Sequence, residues 1–246
     1  MPATPAWPPK SLPRLYVRSP LAQWAEIELD GAPAHYLGTV LRLKEGAQLL
    51  LFDGQSGEWL GKIVLARKGR LKVVAEQRTR EPEAILDLWL AFAPVKRHGT
   101  DWLVEKATEL GVSRLIPVMT QRTVAERVRL DRLEGIAIEA AEQCGRTRIP
   151  KIVELEKLDA FLKSRDPERT LYFADETGGE PVTSTFMPGP ACILIGPEGG
   201  FTGEERAAIR AAPNAVAISL GPRILRAETA ALAAVATWMS VAGDWR

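Results

Sequence analysis

The sequence predicts an α/β protein, a parallel sheet whose strands alternate with helices, preceded by a small β-barrel. Three observations carry this. From Leu12 to about Gln77, short apolar runs are separated by tight turns, with no long helical stretch. From Ile85 onward, strand-like runs alternate with amphipathic stretches, the signature of a parallel sheet. Near the C-terminus the same strand–loop–helix grammar occurs twice, with turn glycines at Gly196 and Gly221. The chain has 246 residues, enough for two small domains, and its 46% hydrophobic and 26% charged content is that of a soluble globular protein. A net charge of +1 excludes a global basic field, so any nucleic acid must be held by a local patch.

The elements follow in order. Residues Met1 to Lys10 are rich in Pro and Ala and have no apolar core of signal-peptide length, so a flexible tail is expected. Barrel strands are expected at Gln48–Phe52, Trp59–Ala66 and Leu71–Ala75, with turns at Asp53-Gly54 and Lys68-Gly69. Arg14, Arg42, Arg67, Lys68, Arg70 and Lys72 are its basic residues, fitting either a solvated face or nucleic-acid contact. The charged, Pro-containing stretch Arg78–Ala84 reads as a linker, dividing the chain into 1–77 and 85–246.

In the second part, a strand is expected over Ile85–Ala93 and a helix over Asp101–Leu110, stopped by Gly111. Leu115–Thr120 reads as a strand weakened, or placed near an edge, by Pro117. Asp131–Cys144 is the clearest helix: Asp131 and Glu134 suit its cap, and Leu133, Ile136, Ala137, Ala140, Ala141 and Cys144 share one face. Further strands are expected at Ile152–Leu155, Thr170–Ala174, Cys192–Ile195 and Val216–Leu220, with a helix at Leu158–Ser164. Thr202 and Glu205 have capping-box spacing. The last helix, Glu228–Met239, is apolar nearly all round and must be buried, within one subunit or across a dimer. The longest weakly polar stretch, Ala230–Ala242, is too short to span a bilayer. Cys144 and Cys192, with His35 and His98, show no paired spacing, so neither a disulfide scaffold nor a metal site is expected. A soluble protein of a reducing cytoplasm fits.

In an open parallel sheet, ligands bind outside the carboxyl ends of the strands, so the loops at Gly196 and Gly221 are expected to line one pocket. Glu198 argues against a phosphate there, and neither a P-loop ending nor a Gly-x-Gly-x-x-Gly fingerprint occurs. The ligand should be neutral or cationic where it meets this loop. Arg223 and Arg226 precede a helix whose dipole opposes them. A salt bridge to Glu198, Glu228 or another acid, and a role in binding nucleic acid, both account for them.

The strings Ile-Gly-Pro-Glu-Gly-Gly-Phe (195 to 201) and Leu-Gly-Pro-Arg-Ile-Leu-Arg-Ala-Glu-Thr-Ala (220 to 230) resemble the RsmE family of ribosomal RNA uracil-N3 methyltransferases, a branch of the SPOUT superfamily. So do residues 101 to 112, 139 to 146 and 35 to 43, and the matches run in order along nearly the whole chain; His98-Gly99 departs from the family pattern. The resemblance implies a SPOUT-type sheet with a C-terminal trefoil knot, a PUA-like or OB-like RNA-binding barrel, and a homodimer. It implies S-adenosylmethionine as cofactor and 16S rRNA, within the small ribosomal subunit, as substrate.

On that basis Leu194, Gly196, Pro197, Leu220, Gly221, Ile224 and Leu225 are the expected cofactor contacts. Methyl transfer to N3 requires loss of the imide proton, so a base or an anion-stabilising cation must act. Glu198 and Glu228 are the base candidates, and Arg226 and Arg146 the cations. Arg14, Arg42, Arg122, Gln143 and Arg146 are the expected RNA contacts. Cys144, on an apolar helix face, reads as structural. The same scaffold acting on another RNA position, such as a ribose 2′-hydroxyl, and a non-catalytic RNA-binding protein are the alternatives.

Overall fold

The computed structural model describes residues 12–67, 69–124 and 127–245; the expected tail at Met1–Lys10 and the basic residue Lys68 lie outside them. The chain divides into two compact units. One ends at Ala84 and also includes Ala141–Arg148; the other comprises Ile85–Ala140 and the chain from Ile149 onward. The boundary expected between residues 77 and 85 treats each unit as one continuous segment. The structure adds Ala141–Arg148 to the first.

In the first unit, β1 (Arg14–Tyr16), β2 (Glu26–Asp30), β3 (Gln48–Phe52), β4 (Glu58–Arg67) and β5 (Arg70–Arg80) form a sheet in the order β1-β3-β4-β5-β2. β1 runs parallel to β3 and the other pairs are antiparallel. Alternate residues of the strands, among them Leu15, Ile27, Leu29, Leu49, Leu51, Ile63, Leu71 and Val73, converge on one core, so the sheet rolls around it. Gly61 makes this closure possible. A Cβ there would lie 2.8 Å from Val73 Cγ1 and 2.9 Å from Leu51 Cδ1. The stretch read as a linker from Arg78 is strand as far as Arg80, because the paired edge of β4 extends the ladder past the last apolar residue. Residues 31–40, which carry no strand pattern, form the short helix α1 (Gly31–His35) and a π-turn over Tyr36–Val40.

Arg14 explains why Ala141–Arg148 belongs to this unit. Its guanidinium donates to the carbonyls of Ala141 (2.7 Å), Glu142 (2.9 Å) and Arg146 (2.9 Å), satisfying acceptors at a helix C-terminus. Its Nε donates to Glu58 at 2.8 Å. The side chain is only 10% exposed, so Arg14 is taken up by this cap and offers little surface for the RNA contact expected of it.

The second unit contains β6 (Leu88–Phe92), α2 (Arg97–Glu109), β7 (Arg114–Met119), most of α3 (Leu130–Cys144), β8 (Lys151–Ile152), β9 (Glu156–Lys157), α4 (Leu158–Ser164), β10 (Thr170–Ala174), β11 (Glu180–Pro181), α5 (Val182–Thr185), β12 (Ala191–Ile195), α6 (Gly203–Arg210), β13 (Ala215–Ser219) and α7 (Ala227–Val241). The strands are parallel, ordered β11-β13-β10-β12-β6-β7-β8, with β9 also on β7. Pro117 falls in the gap between the β8 and β9 pairings, where its missing N–H costs no ladder bond. Both faces of the sheet are covered, which is why β12 reads as an unbroken apolar run. Ile193 and Ile195 pack with α2 and α7, whereas Cys192 and Leu194 pack with Phe161 of α4 and Ile209 of α6. Helix α2 begins a turn earlier than expected. Gly99 in that turn has room for no Cβ: one would lie 2.5 Å from Val95 Cγ2 and 3.8 Å from the Glu228 carboxyl carbon.

Candidate active site

The carboxyl ends of β10, β12 and β13 deliver three loops to one cavity of about 200 Å³. Gly196, Pro197, Glu198, Gly200 and Phe201 come from the first strand–loop–helix unit, Leu220 to Leu225 from the second, and Asp175, Glu176 and Gly178 from the end of β10. Each loop is fixed by its own chemistry. Thr202 and Glu205 form the capping box at the start of α6: Glu205 N–H donates to Thr202 Oγ1 at 3.2 Å, and Thr202 N–H donates to Glu205 Oε2 at 2.9 Å. The other oxygen of the same carboxylate accepts the Gln121 N–H at 2.7 Å, and Arg122 donates to the Gly199 carbonyl at 2.5 Å. The loop is thus held at both ends. Beneath it the Phe201 ring fills the space that a side chain at position 196 would need; a Cβ on Gly196 would lie 3.1 Å from the ring.

Two glycines there are backbone requirements. Gly221 has φ +101 with nothing within 4 Å of a Cβ, so only its conformation demands glycine. Gly200 has φ +66, and a Cβ would lie 2.6 Å from Glu176 Oε1. Gly200→Ala is therefore expected to lower stability by about 1–3 kcal/mol, read by urea denaturation. A loss below the error of that measurement would mean that the loop relaxes freely.

The charges in the cavity are sorted. Asp175 has a fully buried side chain; it accepts from Thr177 Oγ1 at 2.7 Å and Arg210 at 2.6 Å. Burial pushes its carboxyl up, but these hydrogen bonds and the Arg210 charge outweigh it and hold the pKa below the usual aspartate value. Glu198 is exposed and lines the cavity. Arg223 and Arg226 make no ion pair among the described residues, so a salt bridge to Glu198 or Glu228 does not account for them. Arg226 is the N-cap of α7 and makes no side-chain cap bond.

Of the expected cofactor contacts, Gly196, Pro197, Leu220, Gly221, Ile224 and Leu225 line the cavity. Leu194 is not among the lining residues and its side chain packs in the core with α4 and α6; the contact expected of it is through its backbone. Of the catalytic candidates, Glu198 lines the cavity, and Arg226 lies between two lining residues, Leu225 and Ala227. Glu228 sits beside Gly99 and is not among the lining residues. Arg146 is in the first unit, 13% exposed and paired with Glu83 at 3.1 Å. Among the expected RNA contacts, Arg42 is exposed with φ +56, Gln143 is exposed, and Arg122 is exposed while bonded to Gly199. Sequence reasoning misses Asp175, Glu176 and Arg206. The rule that singles out the other two loops could have found the two acids, because they follow directly on a strand legible at Thr170–Ala174. Cys192 is no nucleophile: burial pushes its thiol up to about 12. Among the described residues, no group of His, Cys, Asp and Glu is arranged to hold a metal ion.

Comparison with known proteins bears on this arrangement. Residues 81–239 match the model of an RNA methyltransferase domain, and residues 29–76 that of an RNA methyltransferase PUA domain. The chain is 35% identical over 229 residues to the ribosomal RNA small subunit methyltransferase E of Rickettsia conorii, covering 91% of this chain and 93% of that one. Its fold superposes with a TM-score of 0.88, at 28% identity, on the Neisseria gonorrhoeae enzyme of that name bound to S-adenosyl methionine, over 96% of this chain and all of that one. A Legionella pneumophila protein with bound cofactor SAM gives 0.84 at 29% identity, over 94% of this chain and 98% of that one. A parallel sheet presenting glycine loops at its carboxyl edge, a PUA-type unit before it, and identity sustained along nearly the full length together show that the chain belongs to the ribosomal RNA small subunit methyltransferase E family.

Proposed function

We propose that the protein transfers the methyl group of S-adenosylmethionine to N3 of a uridine in 16S rRNA. The observation that carries this is the cavity between the 196–200 and 220–225 loops in a member of this family. Its residues fit the donor. Backbone at Gly196, Pro197, Leu220 and Gly221 can approach a ligand closely, and Leu225, Ala227 and Ala230 offer apolar walls to an adenine. The acids at Glu176 and Glu198 suit a sulfonium and repel a phosphate.

When bound, S-adenosylmethionine supplies an electrophilic methyl group. The chain's part is to align it with N3 and to deal with the imide proton, alignment alone being worth several orders of magnitude. Glu198 accepts that proton and Arg226 stabilises the negative charge left on the uracil. Arg146 and Glu228 have no part in this assignment, because one is committed to Glu83 and the other lies outside the cavity lining.

In the same proposal the division expected at 1–77 and 85–246 is one of roles, the first part binding RNA and the second, apart from Ala141–Arg148, being catalytic. Arg42, Arg122 and Gln143 contact the RNA in this reading, which their exposure supports. The C-terminal part forms a trefoil knot. This is supported by the connection from β10 to β12, which runs out past β13 to set β11 on its far edge, with Gly179 so close that a Cβ would lie 2.6 Å from the Ile218 carbonyl carbon. A homodimer is supported by Ile224, 91% exposed, and by the half-buried Leu232, Ala233 and Ala236 on the outer side of α7. Among the described residues no helix is long and apolar enough to cross a membrane.

The test is to incubate the protein with methyl-labelled S-adenosylmethionine and small ribosomal subunits lacking native methylation, then chromatograph the nucleosides of the digested RNA. Label in 3-methyluridine is expected. Label in a ribose-methylated nucleoside would keep the scaffold and discard the N3 assignment.

A further inference from the structure

We propose that Glu176 reads the positive charge of the methyl donor and so sets the preference for donor over demethylated product; this rests on S-adenosylmethionine occupying the cavity. Two acids follow β10 and they are used differently. Asp175 is consumed by the fold, its side chain fully buried and bonded to Thr177 and Arg210. Glu176 lines the same cavity with its side chain 50% exposed. Arg206 approaches it at 3.4 Å, well beyond the ~2.7–2.9 Å of a charge-assisted hydrogen bond. That arginine already donates to the Phe201 carbonyl at 2.9 Å with the same nitrogen. Glu176 therefore retains most of its acceptor capacity, and it lines the cavity.

The surrounding backbone leaves room for it there. Gly200 takes a left-handed conformation directly against the carboxylate, where a Cβ would stand 2.6 Å from Oε1 and 3.3 Å from Oε2. An alanine in that place would push the acid aside. The donor carries a sulfonium in addition to its ammonium and carboxylate, so it is net positive at neutral pH, whereas the demethylated thioether is net neutral. A carboxylate lining the cavity favours the first by Coulomb attraction and gains nothing comparable from the second. Methyl transfer moves the sulfonium's positive charge off the ligand as the C–S bond breaks and its electron pair returns to sulfur. The attraction lapses at that step, which favours product release.

The experiment is calorimetric titration of the full chain and of Glu176→Gln with S-adenosylmethionine and, separately, with S-adenosylhomocysteine. Glu176→Gln is expected to weaken donor binding about tenfold and leave product binding within about twofold, collapsing the preference. Equal weakening of both would place Glu176 on a group the two ligands share, and no change in either would make it only a partner of Arg206; each overturns the proposal. Glu176→Asp, which keeps the charge, should retain part of the preference, and thermal unfolding of both variants separates this from a folding defect. A wild-type chain that binds neither ligand would instead overturn the donor assignment itself.

Discussion

Arg226→Ala is expected to lower kcat by roughly 10²–10³ while donor affinity stays that of the wild type. Arg226 is exposed, caps no backbone group with its side chain, and forms no ion pair among the described residues. At the N-terminus of α7 its charge faces the positive end of the helix dipole, an unfavourable placement of about 0.3–1 kcal/mol. The fold therefore gains nothing visible from the arginine. Its neighbours Leu225 and Ala227 both line the cavity, and in the proposed reaction the guanidinium meets the uracil there. Deprotonated uracil spreads its charge over N3 and two carbonyl oxygens, a planar acceptor that a guanidinium fork matches. The loss should fall on the chemical step, so single-turnover rates with saturating donor are the measurement. Arg226→Lys, which keeps the charge but not the fork, should recover part of the rate. Wild-type turnover in Arg226→Ala would remove the residue from the mechanism, and a fall in thermal stability would assign it to the fold.

Legibility in the sequence follows the range of the interactions. The capping box of α6, the turn glycines and the strand Thr170–Ala174 depend on neighbours a few residues apart, and sequence reasoning places them correctly. Six cavity-lining positions expected to meet the cofactor are equally legible, because loops after parallel strands converge by topology. The capping role of Arg14 is not legible because its partners, Ala141, Glu142 and Arg146, lie 127 to 132 positions away. Basic residue type alone does not distinguish a helix cap from a phosphate contact. The ion pair of Arg146 is hidden in the same way, its partner Glu83 lying in a stretch that reads as linker. Gly99 stands out in the sequence only as a departure from pattern; the close approach of Val95 and Glu228 gives its physical reason.

Glu58→Gln should destabilise the protein by about 3 kcal/mol at pH 7, the lower end of what removing one partner from a buried ion pair costs. Glu58 is 5% exposed and accepts from Arg14 Nε at 2.8 Å, from Arg80 at 3.0 and 2.7 Å, and from Thr79 Oγ1 at 3.1 Å. Arg80 is 42% exposed and can turn to water, but Arg14 cannot. With the carboxylate gone, Arg14 keeps its carbonyl acceptors and loses its counter-charge, so the cost falls on the segment it caps. Burial by itself raises the Glu58 pKa; the hydrogen bonds and charges of Arg80 and Arg14 outweigh it and hold the carboxyl below the ordinary glutamate value. A folded-state pKa lower than the unfolded one means that the unfolded chain binds the proton more readily. The contribution is then fully present above the unfolded value of about 4.3 and is lost as pH falls through the lower folded value. Urea denaturation of the wild type and of Glu58→Gln from pH 7 down to about 3 should show a constant gap that narrows once below about pH 4.3. A gap that is small at pH 7, or that keeps its full width in acid, would mean that the glutamate packs in this core without its charge contributing.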